Sequence, residues 1–193
     1  MAFDATIMRA LLGSGPATTN TYRIVFTKLP DFIPGEIADS RRDLTFLCKQ
    51  AEVPSRQLET IERRYNGPVR LVPYGHIYAT YNVEFIETSS MYVRKLLNFW
   101  QEAANGYDAF EPAYYDDIVG EMRLDVYNKD GQVQASYMFD EVFPISVNPS
   151  TVAWDSENTM MVIPVEFSYW RWREVTPIND DIAEPSVFDG GSI

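Results

Sequence analysis

Apolar and polar residues alternate along several segments of the chain, and this pattern restricts the possible folds more than any other feature. Between Tyr78 and Ile86, one side of an extended backbone would be apolar and the other polar. The apolar positions are Tyr81, Val83 and Phe85, and the polar positions are Thr80, Asn82 and Glu84. Residues 159–172 alternate in the same way. A period of two with one apolar side predicts strands that bury one face.

Two short turn sequences indicate β-hairpins. Asn66-Gly67 separates the extended segments 61–65 and 69–72, and Asp130-Gly131 separates segments 121–128 and 132–139. Both dipeptides suit the left-handed backbone of two-residue hairpin turns, although Pro68 weakens the start of the strand that follows it. Further strands are predicted at residues 22–26, 44–49 and 141–147.

One segment, residues 89–105, has the periodicity of a helix. Its apolar stripe comprises Val93, Leu96, Leu97, Trp100 and Ala104. Ser89 or Ser90 can cap the start of this helix, and Gly106 can end it in a left-handed turn. We expect the stripe to pack on the sheet. The expected core anchors are Trp100, Phe99 and Trp154.

Composition agrees with a β-rich domain. The 193 residues include 12 Tyr, 11 Phe and 4 Trp, and aromatic side chains suit a half-buried pleated surface. We expect this domain to span residues 21–173, after an arm formed by residues 1–20. The acidic extension, residues 174–193, has no Lys or Arg and is expected to be mobile or to order on assembly. Its acids are Glu174, Asp180, Asp181, Glu184 and Asp189.

Charge and cysteine usage restrict the partners and the compartment. A formal net charge of −12 disfavours tight binding of DNA or RNA, because like charges repel, but it permits a pore through which DNA only passes. Cys48 is the single cysteine, which suits a reducing compartment such as the cytoplasm; we expect it to be buried and unreactive. No apolar stretch approaches the roughly 20 residues of a membrane helix, and no secretory signal is expected at the N-terminus.

The residue types of a catalytic or metal site do not occur in a recognisable pattern. His76 is the only histidine, so a zinc site is not expected, and a Cys48/His76 pair has no supporting motif. Residues 13–15 lack the strand, lysine and helix that a phosphate-binding loop needs. Residues 155–158 lack the ligand spacing of a calcium loop. We therefore predict no catalytic residue, no cofactor and no metal.

A small basic cluster is the most distinctive charged feature. It comprises Arg56, Arg63, Arg64 and Arg70 around the first predicted hairpin. Because aromatic residues do not interleave with these arginines, pairing with acids of another subunit is favoured over nucleic-acid binding. A solvated hairpin surface is the simpler alternative. Exposed strand edges must be covered or paired, so a β-rich chain without a catalytic motif points to assembly.

Several segments, in their order and spacing, resemble the tail tube protein family of contractile bacteriophages. These segments are 46–54 with the turn Ala51-x-x-Pro54, 61–67, 78–85, the helix with Phe99-Trp100, 139–147, 154–155 and 162–169. The run Phe143-Pro144-x-x-Val147 ahead of Trp154-Asp155 is the most characteristic.

The resemblance implies a β-sandwich or barrel-like fold with one flanking helix near residues 89–105, and a structural role without enzymatic activity. Subunits of this family form rings, with six copies expected, whose inner strands join into one β-barrel. The rings stack into a tube inside a contractile sheath. The implied partners are further copies of this chain, the sheath protein, the tape measure protein and baseplate proteins. DNA would pass through without being held, no membrane would be bound, and the protein would belong to the virion tail, assembled in the host cytoplasm.

Three alternatives remain open. The acidic extension is longer than the family core requires, which allows a ring at the baseplate or tube end. A tube protein of a non-viral contractile injection system would have the same fold. From the residues alone, a module that binds a small ligand or another protein is the competing class.

Two surfaces are candidates for the wall of the pore. The first is the polar side that carries Thr80, Asn82 and Glu84. The second is the corresponding side of segments 121–128 and 132–139, because a register shift of one residue exchanges the faces of a strand. We expect the pore to be acidic or neutral, although the acids could simply keep an abundant subunit soluble. The hairpin 59–72 and the arm 1–20 are expected to contact neighbouring subunits.

Overall fold

The computed structural model of the chain describes residues 20–33, 40–64, 67–106, 113–150, 152–153 and 159–176. Some of the predictions concern residues outside these ranges: the core anchor Trp154, residues 1–19 of the arm and residues 177–193 of the extension. In the described part, no helix is long and apolar enough to cross a membrane.

Nine strands and three helices follow one another along the described residues. The strands are β1 Tyr22–Lys28, β2 Cys48–Ala51, β3 Gln57–Arg63, β4 Arg70–Ile77, β5 Tyr81–Ile86, β6 Gly120–Tyr127, β7 Val133–Val147, β8 Val162–Ser168 and β9 Arg171–Val175. The helices are α1 Ser40–Leu47, α2 Tyr92–Ala104 and α3 Tyr115–Ile118.

Seven strands form one antiparallel sheet in the order β1-β6-β7-β8-β5-β2, with β9 paired to β7. The first half of β7 pairs with β9, and the second half pairs with β8. Between the two halves, Glu141 has a positive φ of 57°, and the Trp170 N–H donates to the Asp140 carbonyl oxygen at 3.1 Å. The sheet therefore folds over at β7 into two packed halves, without closing into a barrel.

The core lies between the two halves of the sheet and under α2. Its large, fully buried side chains include Phe26, Phe85, Phe139, Phe167, Leu97 and Trp100. Tyr81, Val83 and Phe85 are all buried, as their alternation predicts. The prediction of a mainly β fold with one flanking helix at residues 89–105 is confirmed.

The segment 44–49 is not a strand, so that prediction was wrong. Residues 40–47 form α1, and only Cys48 and Lys49 belong to a strand, β2. A short apolar run does not distinguish a strand from a helix. In α1, Leu44 is fully buried whereas Phe46 is 69% exposed, so one helix face packs on the core.

The ends of α2 also differ from the prediction. Neither Ser89 nor Ser90 caps the helix; the Glu87 carboxylate accepts from the backbone N–H groups of Val93 and Arg94, each at 3.1 Å. N–H groups in the first turn have no acceptor within the helix, and a carboxylate beside them also interacts favourably with the helix dipole. At the other end the cap is Asn105, with an extended backbone at φ −152°, so Gly106 does not provide a left-handed turn.

Strand boundaries near the C-terminus were only partly anticipated. The predicted single strand 159–172 is two strands, β8 and β9, because the backbone turns at Tyr169 and Trp170. Conversely, the segments 132–139 and 141–147 form one long strand, β7, which bends at Glu141. Strand β9 continues to Val175 and so includes Glu174.

Candidate assembly surfaces

Strands β3 and β4 form a two-stranded hairpin that pairs with no other strand in the described part of the chain. Arg63 lies opposite Arg70 near the turn, and Gln57 lies opposite Ile77 at the base. The base is attached to β9, because the Trp172 indole N–H donates to the Ser55 carbonyl oxygen at 3.1 Å. Two-stranded hairpins are marginally stable alone, so this hairpin lacks the support of a larger sheet.

The hairpin exposes apolar side chains on both of its faces. Ile61 and Val72 lie opposite each other on one face, and Leu71 lies opposite Glu62 on the other. The exposed apolar residues are Leu58, Ile61, Val69, Leu71, Val72, Tyr74 and Ile77, with Leu71 at 65%. Contiguous exposed apolar surface is typical of an interaction site.

The structure separates the four predicted interface arginines into two groups. Arg63, Arg64 and Arg70 lie together at the hairpin tip, whereas the Arg56 guanidinium stacks on the Trp172 ring at 4.9 Å at the base. Arg64 donates to the Gly67 carbonyl oxygen at 3.3 Å. No carboxylate pairs with the three tip arginines among the described residues. Directly opposed like charges destabilise a hairpin, so the tip suits an acidic partner.

The outer face of β2, β5 and β8 is polar and acidic; we call it the acidic face. It contains the predicted pore residues Asn82 and Glu84, while Thr80 is exposed just before β5. Glu84 pairs with Lys49 at 3.1 Å. Asn82 donates to Glu52 at 3.4 Å and lies opposite Glu166. The carboxylates of Glu52, Glu84 and Glu166 line a groove of about 150 Å³ on this face.

The outer face of β1, β6, β7 and β9 is different; we call it the arginine face. Its arginines are Arg23, Arg123, Arg171 and Arg173. Asp125 is fully buried there and pairs with Arg23 at 3.0 Å and Arg123 at 3.1 Å. The Ser136 hydroxyl donates to the same carboxylate at 2.7 Å. A buried carboxylate is stable only when it is paired and hydrogen-bonded in this way.

A second carboxylate on the arginine face is also shared. Asp140 pairs with Arg171 at 2.8 Å and with Arg173 at 3.4 Å, and the Arg171 guanidinium stacks on the Trp170 ring at 4.4 Å. Arg171 and Arg173 are about half exposed, unlike Arg23 and Arg123. The face thus changes from buried to accessible between β6 and β9.

Within the seven-stranded sheet, three of the described strands have an open edge: β1, β2 and β9 each pair along one side only. Open edges present unpaired N–H and C=O groups that can pair with another chain. Together with the hairpin, these edges are the parts of the fold that remain unsatisfied in one subunit.

Cys48, at the start of β2, lies close to the phenols of Tyr22 and Tyr81. Burial raises the pKa of the Cys48 thiol to about 11, although a hydrogen bond from Tyr22 opposes this effect. Burial, with the neighbouring thiol, raises the pKa of Tyr22 to about 12. Burial also raises the pKa of Tyr81. These groups are therefore protonated at neutral pH, and nothing here activates the thiol as a nucleophile.

The other predicted residues lie in the core or at its margin. Trp100 is fully buried, and its indole N–H donates to the Ile118 carbonyl oxygen at 2.8 Å. Phe99 is 38% exposed, and its ring packs beside that of Phe32 with the two ring centroids 6.1 Å apart. In the described ranges, no group of acids, Cys and His could hold a metal ion.

The chain combines a mainly β fold, one flanking helix and a hairpin outside the main sheet. Residues 17–175 match the family described as phage tail tube protein. The chain belongs to the phage tail tube protein family, and the resemblance noted from its sequence is confirmed. No curated protein is significantly similar to the chain in sequence.

Solved structures of contractile assemblies share the fold. One is a chain of the anti-feeding prophage baseplate, 6-fold symmetrised, with TM-score 0.57 and 12% identity, covering 83% of this chain and 95% of that one. A second comes from the sheath/tube terminator of the extracellular contractile injection system PVC. It has TM-score 0.58 and 13% identity, and the match covers 83% of this chain and 97% of that one. A third comes from the PVC sheath-tube complex. It has TM-score 0.54 and 11% identity, and the match covers 92% of this chain and 100% of that one.

The arginine face was not predicted from the sequence. In β6, Arg123 and Asp125 alternate with the core residues Met122 and Leu124, which indicates an outward position but not burial. Arg23 and Ser136 join them only because β1 and β7 pair with β6 in this register. A long-range register of this kind has no local signal in the sequence.

Proposed function

We propose that the chain is a structural subunit that assembles into rings stacked as the inner tube of a contractile tail. The observation that carries this proposal is the β3–β4 hairpin. It pairs with no other strand in the described part of the chain, exposes apolar side chains on both faces and ends in three arginines without carboxylate partners. A neighbouring acidic subunit can cover the apolar surface and pair the arginines.

The open edges of β1, β2 and β9 support closure into a ring. An edge of one subunit that pairs with a different edge of the next forms a head-to-tail contact, and such contacts generate closed rings when their rotation closes. Six subunits is the number we propose, which agrees with the six-fold symmetrisation of the similar baseplate structure. The inner strands would then form one continuous barrel.

The acidic face is our proposed wall of the pore. Its carboxylates Glu52, Glu84 and Glu166 outnumber the single Lys49, so phosphates would be repelled there. The alternative wall, formed by β6 and β7, carries the arginine face, and guanidiniums bind phosphates with release of counterions. The acidic face is therefore the more suitable lining for a tube through which DNA passes without being bound.

The further partners follow from a tube of this kind. The outside of the tube would contact a sheath protein, its end a baseplate protein, and its interior the tape measure protein and then DNA in transit. Residues 1–19 and the hairpin would contact neighbouring subunits. No catalytic step is required of any residue, and the site of action would be the virion tail, assembled in the host cytoplasm.

A ring at the tube end or baseplate is a second candidate function. Two of the similar structures are described as a baseplate and as a sheath/tube terminator. A terminal ring would form a single ring and would not stack on further copies of itself. A tube protein of a non-viral contractile injection system would stack like the phage protein.

Sedimentation and negative-stain microscopy of the purified chain test the proposal. We expect rings or hollow tubes whose formation requires the hairpin. Replacing Leu71→Ser and Ile61→Ser together should abolish assembly while leaving the melting temperature of the free subunit within a few degrees. Met160→Ser is the matched control, because Met160 is 70% exposed outside the hairpin. A chain that remains monomeric at high concentration, whatever the salt, would contradict the proposal.

A further inference from the structure

The β3–β4 hairpin leaves the sheet through two short connections, which we call its root. The root comprises residues 52–56, between β2 and β3, and residues 78–80, between β4 and β5. Because the hairpin pairs with no other strand in the described part of the chain, no strand pairing fixes its direction relative to the sheet. Contacts at the root are then the means by which this direction can be fixed.

The incoming connection of the root is held by Trp172 of β9. The Trp172 indole N–H donates to the Ser55 carbonyl oxygen at 3.1 Å, and the Arg56 guanidinium lies 4.9 Å from the centroid of the Trp172 ring. Trp172 is itself packed on the sheet, because its ring meets that of Tyr137 on β7 edge-on, with the centroids 5.8 Å apart. A hydrogen bond and a cation–π contact thus act on the two residues directly ahead of β3.

The outgoing connection is held by Tyr169, in the turn between β8 and β9. The centroids of the Tyr78 and Tyr169 rings lie 5.8 Å apart, at an interplanar angle of 56°. Tyr169 in turn packs edge-on against the fully buried Phe139, with the centroids 5.3 Å apart. Aromatic pairs at such distances and angles attract each other. A chain of rings therefore connects the first residue after β4 to the core.

The two attachments act on both strands of the hairpin at the same level. Gln57 and Ile77 form the last pair at the base of the hairpin, and Arg56 and Tyr78 are the next residues outward along the chain. Their ring partners both belong to the short segment 169–172. Attachment of both strands restricts twisting of the hairpin about its base, which attachment of one strand would leave free.

We propose that Trp172 and Tyr169 are positioning residues for assembly: they clamp the root and hold the hairpin, before any partner is present, in the direction in which it docks on a neighbouring subunit. A segment that is already held in its bound direction loses less conformational freedom on binding, so the clamp lowers the concentration at which subunits assemble. This consequence rests on the proposed function, whereas the clamp itself is a property of the free subunit. Arg56 then acts within one subunit, unlike the arginines of the hairpin tip.

Pulsed electron paramagnetic resonance of the free subunit measures whether the hairpin has one direction. Nitroxide labels are attached at Glu62→Cys on the hairpin and Gln134→Cys on β7, both exposed positions, in the full chain with its own cysteine removed by Cys48→Ala. We expect one narrow distribution of distances between the labels. Trp172→Phe together with Tyr78→Ser should broaden this distribution about two-fold, because the indole hydrogen bond and the contact between the tyrosine rings are both lost.

Two variants are matched controls for the clamp. Trp170→Phe changes an exposed tryptophan that also stacks with an arginine, but this arginine, Arg171, belongs to β9 and not to the root. Tyr78→Phe keeps the ring that contacts Tyr169. Both variants should leave the distribution as narrow as in the parent chain. Arg56→Gln, at an exposed position, should broaden it less than the double variant while the melting temperature stays unchanged, so a loss of folding cannot imitate the result.

The outcomes separate the clamp from the proposed function. A distribution that is already broad in the parent chain, that stays narrow in the double variant, or that broadens equally in Trp170→Phe would overturn the clamp. Without labels, the double variant should assemble only at a several-fold higher concentration than the parent chain, and equal concentrations would overturn the positioning role. A parent chain that forms no rings would contradict the proposed function instead, while the distances between the labels would still decide whether the clamp exists.

Discussion

At the scale of single residues, Trp100 connects the helix to the sheet. Its ring packs so closely on β6 that a Cβ added to Gly120 would lie 3.2 Å from it and 2.7 Å from the Lys28 carbonyl oxygen. Trp100→Ala should therefore lower the free energy of unfolding by roughly 3–5 kcal/mol, as expected when a large buried aromatic is removed. Urea denaturation of the free subunit measures this effect.

The neighbouring Phe99 is the control for that measurement. Because Phe99 is 38% exposed, Phe99→Ala should cost clearly less than Trp100→Ala. Equal losses from both substitutions, or an unchanged midpoint for Trp100→Ala, would contradict the role of Trp100 as the core anchor of α2.

The buried carboxylate of Asp125 has an effect of a different kind. Removing it by Asp125→Ala leaves Arg23 and Arg123 buried without their shared counterion, which should cost about 3–5 kcal/mol of stability. Asp140→Ala removes a carboxylate that is shared by two half-exposed arginines, and exposed pairs contribute about 1 kcal/mol or less. Chemical denaturation of the two variants should separate them clearly, and similar losses would count against a buried network at Asp125.

The thiol of Cys48 makes stability depend on pH in the alkaline range. In the unfolded chain the thiol loses its proton near pH 9, whereas in the folded chain it keeps the proton up to about pH 11. The unfolded state therefore binds fewer protons between these values, and stability falls as pH rises. Cys48 should contribute about 2 kcal/mol to this fall.

Cys48→Ala isolates the contribution of the thiol from those of Tyr22 and Tyr81. Denaturation midpoints measured from pH 8 to pH 11 should decline less steeply in this variant than in the natural chain. Parallel pH profiles for the two proteins would show that the thiol is not protected by burial.

At the scale of elements, we predict that the opposed arginines of the hairpin have opposite effects in the free subunit and in the proposed assembly. Arg63→Gln with Arg70→Gln removes a repulsion across the two strands, so hydrogen exchange of the hairpin amides in the free subunit should become slower. The same variant should assemble only at a several-fold higher concentration, because it loses its contacts to the acids of a neighbour. Faster exchange together with undiminished assembly would exclude this role for the tip.

Local sequence signals predicted some of these elements better than others. Two hairpins, β3–β4 and β6–β7, formed where they were predicted. In the second, Gly131 has the positive φ of 77° that its turn needs, whereas Asn66 of the first turn lies outside the described residues. Residues 44–47 became a helix because packing of Leu44 on the core outweighed a short, ambiguous apolar run. The bend of β7 at Glu141, a non-glycine residue with positive φ, has no local signal and is fixed by the pairing of two different strands to its two halves.

At the scale of the whole molecule, the two outer faces of the sheet differ in charge. The acidic face repels phosphates, whereas the arginine face would attract them. A subunit with this asymmetry can direct one face to a pore and keep the other against protein. In the proposed ring, the hairpin and the open edges of β1, β2 and β9 would supply the contacts between subunits.

The most direct measurement is a cryo-electron microscopy map of the assembled chain. We predict stacked six-membered rings around a hollow bore, with Asn82 and Glu84 lining the bore and the β3–β4 hairpin of each subunit against a neighbour. A bore lined by Arg23, Arg123, Arg171 and Arg173, or an assembly in which the hairpin contacts only solvent, would contradict the account.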